Sequence, residues 1–207
     1  MKTRTYADLF DLVQALCGVV FANIEKDRIK ALINRRAQKA YRATNYWTRF
    51  LRVGEEVSVN EGLIVYSDYT SGDDIDTFLR IHKDRPYGLE SVQEYEFIVN
   101  SLGAKIVIGT LNPSSAFATY KIQFNDKFGP NTSAGESQAI PAEWFEYLAH
   151  GTYADYLRAE GQQERAALAD QEANEILQDE LIRLDEQHTQ TLISNRIFTN
   201  SNMQLRW

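Results

Sequence analysis

The spacing of the apolar residues changes twice along this chain, and no other feature limits the fold as much. Near the N-terminus they recur at i, i+3, i+4 and i+7, as on one face of an α-helix. Residues 48–125 instead contain short stretches of Val, Ile, Thr, Tyr and Phe separated by turn residues, a pattern typical of β-strands. Beyond residue 140 the helical spacing returns. The sequence therefore predicts an α+β fold, a helical body with an inserted antiparallel β-sandwich or barrel-like domain.

The first two helices are predicted from their capping residues and apolar stripes. Thr5 and Asp8 have the spacing of a capping box, and Gly18 suits the end of the first helix. A second helix is predicted from Asn23 to Thr44. Its apolar stripe consists of Ile29, Leu32, Ile33, Ala37, Ala40 and Tyr41. We expect the first helix to pack against this stripe, which leaves the basic residues of the second helix on an exposed face.

Turn residues divide the β-rich segment into short strands. Asn60-Glu61-Gly62 predicts a hairpin that joins a strand at 57–59 to one at 63–66. A second turn at 71–74 leads into a strand over Ile75–Ile81. Further strands are predicted at 94–99, 105–108 and 116–124. Because no helix of 10–15 residues separates these strands, we expect them to be antiparallel.

The C-terminal third is predicted to be helical and then extended. A helix starts near Pro141, Gly151 interrupts it, and Thr152 caps its continuation. A longer helix follows from Gln162 to His188, roughly 40 Å in length. Thr191–Trp207 is rich in large apolar residues without helical spacing, so we predict an extended tail. Such a tail either binds a partner or folds back on its own domain.

These patterns predict four parts of the chain. They are the N-terminal helices (1–47), the β-rich domain with its connector (48–139), C-terminal helices that pack on 1–47 (140–190), and the extended tail (191–207). Charge is unevenly distributed among them: residues 1–52 carry a net charge of +7 and residues 141–190 a net charge of −9. A basic end can bind nucleic acid, or opposite ends can meet within one molecule or between neighbouring copies.

Composition and motifs argue against several classes of protein. No stretch approaches the roughly 20 apolar residues of a membrane helix. No apolar segment follows the N-terminal positive charges, so we expect no secretion signal. The single cysteine, Cys17, excludes an internal disulfide and a thiolate-rich zinc site. The chain also lacks phosphate-binding, dinucleotide, zinc-protease and nucleophile-elbow motifs, and His82, His150 and His188 are isolated in sequence. We therefore expect neither catalysis nor a cofactor.

Acidic residues offer few candidates for a metal site. Asp73, Asp74 and Asp76 follow Gly72, but the later ligands of a calcium loop are missing, so a turn is favoured. Glu94 and Glu96 would share one face of a strand, where a solvated sheet surface is the simpler interpretation. We expect no metal to be bound.

The order of helix pair, β-rich insertion, aromatic helix, acidic helix and apolar-basic tail resembles one known class. Four segments, together about a third of the chain, carry this resemblance, and they are YADLFDLVQALCG, INRRAQKAYRATNYW, IPAEWFEYLAHGTYADYLRAEGQ and SNRIFTNSNMQLRW. They resemble head-to-tail adaptor (connector) proteins from the neck of tailed double-stranded DNA phages. The β-rich insertion makes it look more like the adaptors of short-tailed phages. The resemblance implies a structural virion protein that is assembled in the cytoplasm of a bacterial host.

The resemblance also implies partners. Such proteins form a ring, usually of twelve copies, between the portal protein and a downstream tail or nozzle protein, and double-stranded DNA passes through the ring. By position, the portal-binding residues would be Arg196, Ile197, Phe198, Met203, Leu205, Arg206 and Trp207. Contacts between neighbouring copies would involve the basic residues Arg28, Arg35, Arg36, Lys39 and Arg42 and the acidic residues Glu172, Glu175 and Asp179. On this interpretation, the acidic surface that is not used in contacts between copies lines a channel through which DNA slides.

Two alternatives remain open at this stage. A metal-dependent nuclease could hold DNA on the basic helix and a metal on Asp74, Asp76 or Glu94. A structural protein of another part of the virion, such as the capsid surface or the completed tail, would use the same tail for a different partner. The basic helix could also meet acids on the chain's own helix 162–188.

Overall fold

The structure is a computed structural model that describes part of the chain in full. The backbone is described for residues 2–58, 63–65, 75–82, 96–100, 103–107 and 115–203, and the side chains for 2–56, 75–81 and 116–186. Two compact units are present: unit 1 consists of Met1–Thr44 and Asp126–Trp207, and unit 2 of Asn45–Asn125. Helices and antiparallel sheets occur together, which confirms the predicted α+β class.

The helices and strands are numbered in chain order. They are β1 (Thr3–Thr5), α1 (Tyr6–Cys17), α2 (Asn23–Ala43), β2 (Leu51–Ser58), β3 (Leu63–Val65), β4 (Ile75–His82), β5 (Glu96–Asn100), β6 (Gly103–Val107), β7 (Ser115–Ile122), β8 (Ala139–Pro141), α3 (Ala142–Ala159) and α4 (Gln163–Met203).

The ends of α1 are those that the sequence predicts. The Thr5 hydroxyl accepts a hydrogen bond from the backbone N–H of Asp8 at 3.1 Å, and the Asp8 carboxylate accepts one from the backbone N–H of Thr5 at 3.3 Å. This is a capping box, which satisfies two backbone donors at the start of the helix. Gly18 ends the helix at φ 67°, a left-handed conformation that glycine adopts at little cost.

α3 is the centre of unit 1, which corrects the predicted pairing of the first two helices. Both α1 and α2 pack chiefly against α3, and α4 packs along it as well. The buried face of α2 (Ile29, Ile33, Ala37 and Ala40) therefore lies toward α3. Trp144, Tyr147 and Leu148 of α3 are buried. Amphipathicity predicts which face is buried but not which neighbour covers it.

Gly151 does not interrupt α3, so the predicted break there is wrong. The helix continues from Ala142 to Ala159, and Gly151 and Thr152 are both buried inside it. A Cβ atom at Gly151 would lie 3.0 Å from Cδ and 3.1 Å from Nε of Arg36. The glycine is therefore needed for the close approach of an arginine from α2, a reason that the sequence of α3 alone does not contain.

The connector 126–139 belongs to unit 1 and not, as the sequence predicts, with the β-rich segment. Asn34 of α2 binds the backbone of Phe128 twice, because its amide donates to the carbonyl at 2.9 Å and its oxygen accepts from the N–H at 2.7 Å. Phe128 is fully buried, and Lys30 pairs with Glu136 at 2.9 Å. β8 then pairs with β1 in a two-stranded antiparallel sheet.

The described strands of unit 2 form two three-stranded antiparallel sheets, in the orders β2-β7-β4 and β3-β6-β5. β5 and β6 form the predicted neighbouring pair, in which Asn100 faces Gly103. The hairpin predicted between 57–59 and 63–66 is wrong, because β2 and β3 belong to different sheets. Turn residues 60–62 allow a change of direction but do not choose the partner strand. The predicted turn at 71–74 lies outside the described residues.

α4 continues far beyond the predicted end of the last helix. Its backbone is helical from Gln163 to Met203, so the prediction of an extended tail is wrong for residues 191–203. Once a helix has formed, adding a further residue to it requires little free energy. The residues that end helices, Gly and Pro, do not occur after Gly161. The absence of these residues therefore predicts the helix better than the missing apolar periodicity predicts an extended tail.

Candidate functional site

The charged residues that the sequence singles out on α2 separate into two environments. Arg28, Arg35, Lys39 and Arg42 are exposed, whereas Arg36 is only 1% exposed. Arg36 follows Ile29 and Ile33 at helical spacing, so it belongs to the buried stripe of α2. The predicted basic face is therefore a surface of four residues and one buried guanidinium.

Arg36 is held by acids of its own chain. Its Nε and Nη2 atoms donate to the two carboxylate oxygens of Asp155 on α3, each at 2.8 Å. Nη2 also lies 2.7 Å from Oδ1 of Asp170 on α4. Arg36 therefore meets acids within its own chain, one of the two contacts that the sequence predicts for the basic helix. Because Arg36 is buried there, its prediction as a contact between neighbouring copies is wrong, and Arg36 is a core residue.

Three arginines contact the carboxylate of Asp155. Besides Arg36, Arg35 lies 2.8 Å from its Oδ2 atom and Arg158 lies 2.9 Å from its Oδ1 atom. Burial by itself would raise the pKa of Asp155, but hydrogen bonds and charge from Arg36 and Arg35 outweigh it and hold the pKa below the usual range. Burial likewise opposes the charge of Arg36, but its bonds to Asp155 and Asp170 raise the pKa of the guanidinium. Both groups are thus charged at neutral pH.

This ion-pair cluster is structural and was missed by sequence reasoning. Asp155 follows Trp144, Leu148 and Thr152 at helical spacing, so an acid occupies a position of the buried stripe on α3. Arg36 occupies such a position on α2. A buried charge needs a partner of opposite sign, so a base on the buried stripe of α2 and an acid on that of α3 predict that Arg36 and Asp155 pair.

The acidic candidates on α4 are exposed. Glu172 lies 3.3 Å from Nδ1 of His150, and Glu175 accepts a hydrogen bond from Gln171 at 2.9 Å. Glu175 and Asp179, with Asp170, line an open groove of about 530 Å³ along the helix. None of these three carboxylates lies in a cluster of potential metal ligands, and no such cluster occurs among the described residues. The face is suited to binding cationic groups of a partner.

The predicted portal-binding residues fall partly on α4. The backbone at Arg196, Ile197, Phe198 and Met203 is helical, and their side chains lie outside the described residues. The segment 204–207, with Leu205, Arg206 and Trp207, lies outside them altogether.

The candidate ligands of the alternative nuclease are not brought together by the described residues. Asp76 is exposed on β4. Asp73, Asp74 and Glu94 lie outside the described residues, and Glu96 is described only by its place in β5. In the described part of the chain, no helix has the length and apolar character needed to cross a membrane.

Comparisons with known proteins identify no family for this chain. No protein-family model matches its sequence, and no curated protein matches it either. Its function is therefore argued from its own residues.

Proposed function

We propose that this chain is a structural protein of the neck of a tailed double-stranded DNA phage, where a ring of copies joins the portal to the tail. The proposal rests on the resemblance of four sequence segments to head-to-tail adaptors and on one structural observation. α4 has 41 residues and α3 has 18, so at 1.5 Å per residue α4 is roughly 35 Å longer than the helix it packs on. Such a helix can carry the residues near its end to a partner.

The proposed partner of this helical arm is the portal protein. Arg196, Ile197, Phe198 and Met203 would be presented by α4, with Leu205, Arg206 and Trp207 beyond its end. Apolar anchors near the end of each copy, repeated around a ring of about twelve copies, give avidity beyond that of a single contact. The sequence's correspondence to adaptors, rather than any side-chain contact, supports this assignment.

The other parts of the chain have proposed roles in the same ring. Neighbouring copies would meet through Arg28, Arg35, Lys39 and Arg42 on one side and Glu172, Glu175 and Asp179 on the other, a heterologous contact. Unit 2 would be a small sandwich of its two sheets. A downstream tail or nozzle protein would bind the far side of the ring, and DNA would pass through without sequence-specific binding. Assembly would take place in the bacterial cytoplasm, without catalysis or a cofactor.

The portal assignment is tested by removing residues 191–207. The full chain is expected to be captured by the portal protein encoded in the same genome, whereas the shortened chain keeps its helical circular dichroism and loses capture. A second variant carries Ser at Ile197, Phe198, Met203, Leu205 and Trp207, and it should also lose capture. The matched control carries Ser at Val20 and Val53, which are exposed outside α4 and should not affect capture.

Two results would overturn the proposal. One is equal capture of the full and shortened chains, or no capture of either. The other is a magnesium-dependent nuclease activity that disappears in Asp74→Asn, which would support the alternative enzyme instead.

A further inference from the structure

A pocket of about 390 Å³ opens in unit 1 between α1, the first turns of α2 and the connector 126–139. This volume is in the range of pockets that bind ligands. Tyr6, Ala7, Phe10 and Pro130 give it an apolar wall, in which Tyr6 is buried and Phe10 half-buried. We call this feature the Tyr6 pocket.

The hydroxyl group of Tyr6 points to an occupant. Tyr6 is only 5% exposed, and no described residue forms a hydrogen bond with its hydroxyl. The hydroxyl is not enclosed by the chain, so it is reached through the pocket that Tyr6 lines. Burial, with the charges of Glu136 and Asp27, raises the pKa of Tyr6, so the group is protonated at neutral pH. Because buried polar groups are normally hydrogen-bonded, a bound group is expected to complete this one.

The charges around the mouth of the pocket favour a basic occupant. Asp11, Lys26 and Asp27 are exposed there. Lys30 is already paired with Glu136 at 2.9 Å and lies 3.5 Å from Asp27. With Glu136 included, three acids stand against two bases. Asp11 has no ion pair with a described residue, so its carboxylate is available to a cation.

The four residues that follow α4 have the chemistry that this pocket requires. They are Gln204, Leu205, Arg206 and Trp207. Trp207 combines a large apolar ring with one N–H donor, and Arg206 adds a permanent positive charge. The groove along α4 and the cleft beside Lys127 are lined mainly by charged and amide side chains, so neither offers an indole ring a comparable apolar wall.

α4 carries these four residues away from the pocket of their own chain. His150, near the middle of α3, lies 3.3 Å from Glu172 of α4, and the two helices are antiparallel because a short turn joins them. Ala142, at the start of α3, is therefore level with about residue 180 of α4. From that level, Met203 is roughly 35 Å further along the helix at 1.5 Å per residue.

The pocket itself stays beside the start of α3. The N–H of Ala142 donates to the carbonyl of Lys2 at 3.2 Å, and β1 leads from there directly into Tyr6. Four residues in an extended conformation span roughly 14 Å at most. Residues 204–207 can therefore reach a Tyr6 pocket only on another molecule.

We infer that residues 204–207 of one copy occupy the Tyr6 pocket of a second copy when no other partner holds them. The Trp207 ring packs against Phe10, and its N–H donates to the Tyr6 hydroxyl. The Arg206 guanidinium lies at the mouth of the pocket, where the acids outnumber the bases. This docking goes beyond the proposed function, because it concerns the chain before the portal protein binds the same residues.

Binding of a peptide tests the occupant directly. A fluorescein-labelled peptide with the sequence of residues 199–207, TNSNMQLRW, is titrated with the purified full chain and followed by fluorescence anisotropy. We expect a dissociation constant on the order of 10–100 µM, as for one aromatic anchor with one ion pair. Trp207→Ser in the peptide should weaken binding at least about tenfold. Arg206→Ser should weaken it about threefold.

Variants of the full chain test the pocket. Ala7→Leu fills it from an exposed position of α1, so the fold should be kept and peptide binding should weaken at least about tenfold. Ala15→Leu, at an exposed alanine of the same helix outside the pocket, is the matched control. Tyr6→Phe removes only the hydroxyl and should weaken binding about fivefold, the usual effect of one hydrogen bond, whereas Tyr46→Phe in unit 2 should have no effect. Circular dichroism of every variant verifies the fold.

Docking on a second copy also predicts self-association of the full chain. Sedimentation velocity should show monomers converting to larger species at concentrations on the order of 100 µM. Trp207→Ser and Ala7→Leu should each leave the chain monomeric at that concentration, since one removes the anchor and the other fills the pocket. Mixing these two variants should restore association, because each supplies the part that the other lacks.

Three outcomes contradict this docking. They are a peptide that does not bind the full chain at about 1 mM, equal peptide binding by wild type and Ala7→Leu, and a wild-type chain that stays monomeric at about 1 mM. Capture by the portal protein is measured separately. Capture without peptide binding refutes the docking alone, whereas peptide binding without capture refutes the proposed function alone.

Discussion

Asp155 is the residue on which the buried charges of unit 1 depend. Its carboxylate binds Arg36 through two hydrogen bonds, and the guanidinium is almost fully buried. Asp155→Asn keeps the shape but removes the charge, so Arg36 would remain buried with only Asp170 to balance it. We expect the free energy of unfolding to fall by about 3 kcal/mol, since removing one partner of a buried pair typically costs about 3–5 kcal/mol. Urea unfolding followed by far-UV circular dichroism measures it.

The control for this substitution is Asp179→Asn. Asp179 is exposed on α4, and no described residue forms an ion pair with it. Its replacement should change the free energy of unfolding by less than about 0.5 kcal/mol. A cost for Asp155→Asn as small as that would show that the buried pair contributes nothing to stability.

The same carboxylate predicts how stability depends on pH. Burial raises the pKa of Asp155, but the bonds from Arg36 and Arg35 lower it by more, so in the folded chain it is below the unfolded value of about 3.9. The contribution of Asp155 is therefore fully present above about pH 5 and is lost as pH falls below about 4. We expect the stability difference between wild type and Asp155→Asn to shrink over that range. A difference that stays constant or grows on acidification would contradict the assignment.

At the scale of elements, the crossing of α2 and α3 depends on Gly151. In an ordinary helix Gly→Ala stabilises by about 1 kcal/mol, but here the new methyl group would press on Arg36, whose end is fixed by Asp155. We expect Gly151→Ala to lower the free energy of unfolding by about 1–2 kcal/mol, the usual cost of overpacking.

A double-mutant cycle separates the two effects at Gly151. In an Arg36→Ala background the obstruction is gone, so Gly151→Ala should stabilise the chain relative to that background. If Gly151→Ala were destabilising to the same extent in both backgrounds, contact with Arg36 would not be the reason for the glycine.

The elements also show how far local sequence signals reach. Thr5, Asp8 and Gly18 predict the limits of α1 correctly, because a capping box and a left-handed glycine act within a few residues. The hairpin at 60–62 and the break at Gly151 are wrong because both depend on residues distant in sequence. Strand β2 pairs with β7, and Gly151 accommodates Arg36.

The residues of the candidate site also differ in whether the sequence around them predicts their position. The exposed acids and bases of α4 and α2 follow from helical periodicity, apart from Arg36. Its burial could be recognised only by placing it on the apolar stripe, and its partner Asp155 only by doing the same for α3. The C-terminal helix is the opposite case, because its signal lies within the segment itself. Residues 162–203 contain no Gly or Pro, and this absence predicts the helix better than the lack of apolar periodicity predicts an extended tail.

At the scale of the whole molecule, unit 2 is a segment within the chain whose two ends lie close together. Near its two ends Phe50 and Phe124 are in edge contact, with ring centroids 5.5 Å apart, and the Ile122 N–H donates to the Phe50 carbonyl at 2.8 Å. The ends of this segment therefore meet, as in inserted domains that fold on their own. We expect residues 45–125, expressed alone, to give a dispersed amide NMR spectrum and cooperative thermal unfolding. Ile81→Asp, which buries a charge in the core, should abolish both, whereas Val53→Asp at an exposed position should not. A collapsed spectrum for the wild-type segment would mean that unit 2 depends on unit 1 for its fold.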